Sequence, residues 1–178
     1  MDDDRTRQFE TLALPHLDAA YNLARWLLRD DNAARDVVQE AYVRAFRFFD
    51  GMRGDSARPW LLGIVRNACF SWLQAHRREG EFLPFDDERD SGAAHADAGS
   101  DGNPEDALIR KRVRAHVQQA IEALPPLFRE VIVLRELEEL GYEEIARIVG
   151  VPVGTVMSRL SRGRERLRDA LSDRENVK

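Results

Sequence analysis

Apolar positions along this chain recur three and four residues apart, and no stretch alternates as a half-buried strand would, so the pattern predicts an all-α fold. Phe9, Leu12, Leu17, Tyr21, Ala24 and Leu28 mark a first helical region, bent or restarted near Pro15. Asp30-Asp31-Asn32 then offers a break and a cap. A second helix follows, with Ala34, Val37, Val38, Ala41, Tyr42, Ala45 and Phe49 on its buried side and Asp36, Gln39, Glu40, Arg44 and Arg47 outward, ending at Asp50-Gly51. After a loop from Met52 to Ser56, a third helix is predicted from about Arg58 to Arg78, with Pro59 in its first turn. Trp60, Leu61, Ile64, Ala68, Trp72 and Leu73 form its inner stripe, which leaves Arg66, Asn67, Arg77 and Arg78 for the outside. Further along, Asn103 is placed to cap a helix that has Pro104 first and Glu105-Asp106 at the positive end of its dipole. Val113, Val117, Ala120, Ile121 and Leu124 keep core spacing there until Pro125-Pro126 interrupts it, and Leu127, Val131 and Leu134 restart it.

The last forty or so residues carry the most specific pattern. Gly141 precedes a short helix with apolar Ile145, Ile148 and Val149 and small Ala146, and Gly150 suits the left-handed backbone that ends such a helix. Val151-Pro152 turns the chain into another helix, whose buried stripe is Val156, Leu160 and Leu167 and whose neighbouring polar face is Thr155, Ser158, Arg159, Arg162 and Arg166. Short helix, glycine turn and basic helix in that order describe a helix-turn-helix, which lays its second helix in the major groove of DNA. From Ser158 to Arg168 there are five arginines against the single acid Glu165, a local net of +4 in a chain of net −5.

Charge organises the chain further. Residues 79–107 hold ten acids and one base, a net of −9, among Gly, Ser, Ala, Asn and Pro, the composition of a flexible linker. Removing it leaves the flanks at +4 together, so the acidic total does not argue against a nucleic-acid partner. The expected organisation is two small helical domains, residues 1–78 and 108–178, joined by a flexible acidic linker, the second containing the helix-turn-helix. No apolar run is long enough to span a bilayer, and the acidic start Met1-Asp2-Asp3-Asp4 lacks the features of a secretory signal, so a cytoplasmic protein is expected. The single cysteine, Cys69, cannot form an internal disulfide and reads as a packing residue beside Trp72 and Leu73.

Three stretches in this order resemble one family across nearly the whole chain. Asp36-Val37-Val38-Gln39-Glu40-Ala41-Tyr42 is similar to the polymerase-binding helix of bacterial RNA polymerase sigma factors of the extracytoplasmic-function (ECF) type. Arg53-Gly54-Asp55-Ser56-Ala57 followed by Trp60-Leu61 resembles the family's promoter-melting loop. Pro152-Val153-Gly154-Thr155-Val156 with Ser158-Arg159 resembles its recognition helix. The resemblance implies a sigma-70 family protein that binds the polymerase core enzyme through exposed Asp36, Gln39, Glu40 and Arg44. It implies minus-ten recognition and melting by Gly54, Asp55, Ser56 and Ala57, whose small polar groups would hold a flipped base, with Arg66, Asn67, Arg77 and Arg78 on the strand and its phosphates.

At the minus-thirty-five element it places Met157, Ser158, Ser161 and Arg162 near base edges, and Thr155, Arg159, Arg164 and Arg166 on phosphates. Arg162 is the principal specificity candidate, because an arginine can donate two hydrogen bonds to one guanine edge. Met157 departs from the lysine or arginine of many relatives, so an apolar touch on a thymine methyl becomes the alternative there. The linker would follow the polymerase's RNA path, as a nucleic-acid mimic or as a plain tether. An anti-sigma partner, which could hold the protein at the membrane, is also implied.

Two other classes share part of this pattern. A stand-alone helix-turn-helix regulator would use the same basic helix, yet no heptad or effector domain is visible. An enzyme acting on nucleic acid would need grouped acids or a nucleophile, whereas Asp86, Asp87 and Glu88 lie in the linker and His16, His76, His95 and His116 are scattered. Neither a metal nor another cofactor is expected.

Overall fold

The computed structural model describes residues 2–52, 56–78 and 103–172, and among these the fold is helical without a strand. Helix α1 (Asp2–Ala13) runs through a 3₁₀ turn at Leu14–His16 into α2 (Leu17–Leu28), the restart foreseen at Pro15. Arg29 ends α2 with a left-handed backbone, φ 59°. Helix α3 (Asp31–Arg47) begins under the side chain of Asp30, which accepts from the Ala33 N–H at 2.8 Å. Helix α4 (Ala57–Arg78) closes the N-terminal module by packing on both α2 and α3.

Beside this bundle, α1 makes a small core of its own. Phe9 stands edge-on to Tyr42, Phe46 and Phe49, with Ala13, Ala45 and Leu61 beneath.

The C-terminal module opens with α5 (Pro104–Glu122), capped by Asn103, so the helix already occupies the last four residues assigned to the linker. Helix α6 (Pro126–Ile132) widens into a π-helical stretch, Val133–Leu137, where the Glu138 N–H reaches back to the Val133 carbonyl. Sequence spacing gave no sign of that widening. Helices α7 (Tyr142–Val149) and α8 (Val153–Ser172) complete the unit. The Glu144 carboxylate accepts from the Gly141 N–H, and Gly150 closes α7 in the left-handed region at φ 74°. Gly163 lets α8 lie close on α6, because a Cβ there would meet the Ile132 side chain at 3.0 Å.

Several expected core positions are exposed. Leu12 and Leu17 flank the 3₁₀ restart, where the helix phase slips and turns them outward. Val113 and Val117 are also exposed on α5, whose buried residues, Ala120 and Ile121, lie in its last turns, and Leu127 is exposed in the first turn of α6. A helical stripe announces an apolar face; it does not supply the neighbour that covers it.

The two modules also pack against each other. Helix α4 packs on α7 and α2 packs on α6, so one continuous apolar core runs from Leu23, Leu27, Leu62 and Val65 to Ile132, Leu134, Ile145 and Ile148. Gly63 sits against the backbone of Ile148, with room for a Cβ at 3.8 Å from its carbonyl oxygen. Most of the linker, residues 79–102, lies outside the described residues, as do Gly54 and Asp55 of the melting loop.

Candidate nucleic-acid interface

Helix α8 presents the face that its sequence promised. Met157, Ser158, Ser161 and Arg162 are all exposed, and neither Arg162 nor the two serines has a side-chain partner among the described residues. Thr155 is half-buried in the first turn, while Val156 and Leu160 hold the opposite side in the core. Tyr142, Met157, Ser161, Arg164 and Arg168 line an open groove between the start of α7 and α8.

The phosphate candidates on the same helix are less free. Arg164 donates to Glu136 from both Nε (2.9 Å) and Nη2 (2.6 Å), and that hydrogen bond holds its pKa above the ordinary value. Arg166 lies over the Phe128 ring at 5.1 Å while remaining exposed. Arg159 is turned inward, its side chain only 20% exposed, with Nη1 3.5 Å from the carboxylate of Glu130.

Helix α4 departs further from expectation. Asn67 is exposed as predicted, and Arg77 and Arg78 occupy the last turn. Arg66, assigned to the outside, is instead 17% exposed and forks onto Glu130, Nε to Oε2 at 2.8 Å and Nη2 to Oε1 at 3.1 Å. Its guanidinium also stacks on Phe70, 4.1 Å from the ring centre. The spacing located a polar stripe correctly, but that stripe meets a carboxylate from another element rather than water. Ser56 is exposed just ahead of α4 and Ala57 is buried in its first turn. Trp60 and Trp72 are half-buried against the core, and Trp72 stacks on His76 with ring centres 3.6 Å apart.

On α3 the outward residues stay outward. Asp36, Gln39, Glu40 and Arg44 are exposed, with Arg44 bonded to Glu40 one turn back at 3.0 Å. Exposed Val43 and Phe48 lie on the same helix and just beyond it, which gives this surface an apolar component.

Sequence reasoning missed the residues that join the modules. Glu130 is fully buried; burial pushes its carboxyl pKa up, and the hydrogen bond and charge of Arg66, with Arg159, pull it back. Arg129, its neighbour, donates from Nη1 to the carbonyls of Trp26 and Leu27 at the end of α2 and from Nη2 to those of Glu122 and Leu124 at the end of α5. Burial draws the Arg129 pKa down to about 10, so it stays charged at neutral pH. Arg58 reaches both the carbonyl and the carboxylate of Glu138, and Asn22 bonds the same carboxylate. A signal was available in the sequence: two adjacent charges, Arg129-Glu130, interrupt an apolar stretch that runs from Leu127 to Leu134. Cys69 is buried, and burial raises its thiol pKa to about 12, in keeping with a packing role.

Comparison with known proteins matches both modules. Residues 12–79 match the family Sigma-70 region 2, and residues 114–167 match Sigma-70, region 4. The chain is 37% identical over 168 residues to the ECF RNA polymerase sigma factor SigE of Mycolicibacterium smegmatis, covering 92% of this chain and 62% of that protein's length. It is 36% identical over 171 residues to the RNA polymerase sigma-H factor of Pseudomonas aeruginosa, covering 93% of this chain and 86% of the relative. The ECF RNA polymerase sigma-E factor of Escherichia coli is 42% identical over 135 residues, 73% of this chain and 69% of that one. Among solved structures, the sigma factor RpoE of Bartonella quintana, in complex with the anti-sigma factor NepR, superposes with a TM-score of 0.73 at 29% identity, covering 93% of this chain and 98% of the other. Two matched regions in the expected order, with relatives alike over most of their length, place the chain in the family of ECF sigma factors of the sigma-70 type.

Proposed function

We propose that the N-terminal module (residues 1–78) binds the RNA polymerase core enzyme and opens the minus-ten element, that residues 79–107 tether it, and that the module from 108 to 178 reads the minus-thirty-five element. The exposed face of α3, with Asp36, Gln39, Glu40 and Arg44 beside apolar Val43 and Phe48, supports core binding. Gly54, Asp55, Ser56 and Ala57 would receive the flipped base, with Asn67, Arg77 and Arg78 along the strand. The polymerase supplies the chemistry, and this chain supplies the address.

One observation carries the minus-thirty-five assignment. Arg162 stands on the solvent face of the second helix of a helix-turn-helix, unpaired among the described residues and flanked by exposed Ser158, Ser161 and Met157. A guanidinium there can take a guanine edge with two parallel bonds, while Arg164, Arg166 and Thr155 hold the backbone. An anti-sigma partner is part of the proposal, supported by the complex in which Bartonella RpoE was solved. Among the described residues no helix is long and apolar enough to cross a membrane. The proposal places the protein in the cytoplasm, with any membrane attachment made through such a partner.

The test is transcription with purified core enzyme. Wild type should initiate from a specific promoter, Arg162→Ala should lose promoter choice while still binding core, and the pair Gln39→Ala, Glu40→Ala should lose core binding. Tight binding to duplex DNA by a protein that initiates with no core enzyme would instead establish a stand-alone regulator.

A further inference from the structure

Helix α1 turns one stripe inward, Arg5, Phe9 and Ala13, each about one turn beyond the last, and among its described residues only Phe9 and Ala13 are buried. One phenylalanine and one alanine give so polar a helix little burial of its own. What the stripe does is grip both ends of a single loop. At the end of α3, Arg5 donates from Nη2 to the Phe46 carbonyl at 2.8 Å and from Nε to Asp50 at 3.1 Å, with its guanidinium 4.6 Å from the centre of the Phe46 ring. Phe46 lies in the last turn of α3, where carbonyls lack helical partners and the dipole favours a cation. The Phe9 ring meets Phe46 and Phe49 edge-on, and the Tyr42 hydroxyl donates to the Ala13 carbonyl at 3.0 Å. At the start of α4, Phe9 and Ala13 share their small core with fully buried Leu61 and with Trp60 and Ile64, all in its first two turns. Between the two grips the chain runs through Gly51 and residues 52–56, the stretch assigned to promoter melting.

We propose that α1 is a positioning clamp for strand opening, with Arg5 and Phe9 fixing the two stems of the melting loop; this rests on the sigma-factor reading above. Holding a flipped base costs the energy of unstacking and unpairing it. Any freedom left in the loop stems would have to be lost at the same moment. Stems already anchored by α1 gave up that freedom on folding, so more of the contact energy remains for the base. Arg5 and Phe9 are positioning residues, acting through the stems and not on the DNA. Their effect should therefore fall on the opening of paired DNA, and not on core binding or on DNA that is already open.

The experiment uses the full chain with core enzyme on one promoter in two forms: fully paired, and held open at the minus-ten element by mismatches. Opening is followed by a fluorescent base analogue in the minus-ten strand and initiation by transcript yield, and melting curves check that each variant is folded. Arg5→Ala should open the paired promoter roughly five- to tenfold more slowly, the low end for loss of a part-exposed, charge-assisted hydrogen bond. Its core binding and its yield from the pre-opened promoter should stay within about twofold of wild type. Arg5→Lys should recover only part of the rate, because an ammonium lacks the planar fork that reaches carbonyl and carboxylate together. Phe9→Leu keeps apolar bulk but loses the edge-on ring contacts, and it should slow opening in the same way. Equal losses on both promoter forms would overturn the proposal, since general loosening acts on both. So would wild-type opening rates in Arg5→Ala and Phe9→Leu. Should wild type initiate from neither form with any core enzyme, the sigma-factor reading falls, and amide exchange still decides the clamp. The Gly51 and Met52 N–H groups, bonded to the carbonyls of Phe48 and Phe49, should exchange faster in Arg5→Ala, and unchanged exchange would end the clamp as well.

Discussion

Helices α4 and α8 carry the same kind of sequence, an apolar stripe beside an arginine-bearing face, and they end in different circumstances. On α8 the central arginine, Arg162, faces solvent; on α4 the corresponding cation, Arg66, is turned onto a buried carboxylate of the other module. Periodicity is a property of one helix, and it assigns a side chain to a face. Whether water, DNA or another domain meets that face depends on contacts far away in sequence, and Glu130 is 64 residues from Arg66. The basic face of a helix is therefore a set of candidates, sorted only by the tertiary structure.

That contrast can be tested from its strongest consequence downward. Arg129→Ala should cost roughly 3 kcal/mol or more in denaturant unfolding, because it strips the donors from buried carbonyls of two helix ends. Arg66→Ala should cost about 2–3 kcal/mol, somewhat below a fully buried pair since Arg159 remains near Glu130, whereas Asn67→Ala next to it should change stability by about 0.5 kcal/mol at most. Arg162→Ala inverts the pattern: stability within about 0.5 kcal/mol, but about 1–3 kcal/mol of discrimination lost between promoter sequences in binding competition. If Arg162→Ala destabilised the fold as much as Arg66→Ala, the distinction between the two helices would be wrong. Gly150→Ala should lower the unfolding free energy by about 1 kcal/mol, the strain of a Cβ at φ 74°. Arg164→Ala should cost no more than about 0.5 kcal/mol, since its pair with Glu136 is half in solvent; a larger loss in thermal melts would make that pair a structural brace of α8.

The elements themselves were legible in the sequence wherever their cause is local. Asp30 and Asn103 cap the helices they were expected to cap, Pro15 marks the restart, and Gly150 ends α7 in the backbone region that glycine favours. The exposed face of α8 and the outward residues of α3 were legible for the same reason. Illegible were features that depend on a distant partner: the inward turn of Arg66 and Arg159, the exposure of Val113 and Val117, and the close approach of α4 to α7. The π-helical stretch after Ile132 also escaped, because one extra residue in a turn leaves the apolar spacing almost unchanged over so short a length.

Arg129 has a consequence for how the molecule comes apart when heated. A single guanidinium terminates one helix from each half of the chain, so melting of either half deprives the other of its terminator. In a calorimeter the two halves should absorb heat together in one peak, and replacement of that arginine should broaden it, while the apolar core the halves share keeps them partly coupled.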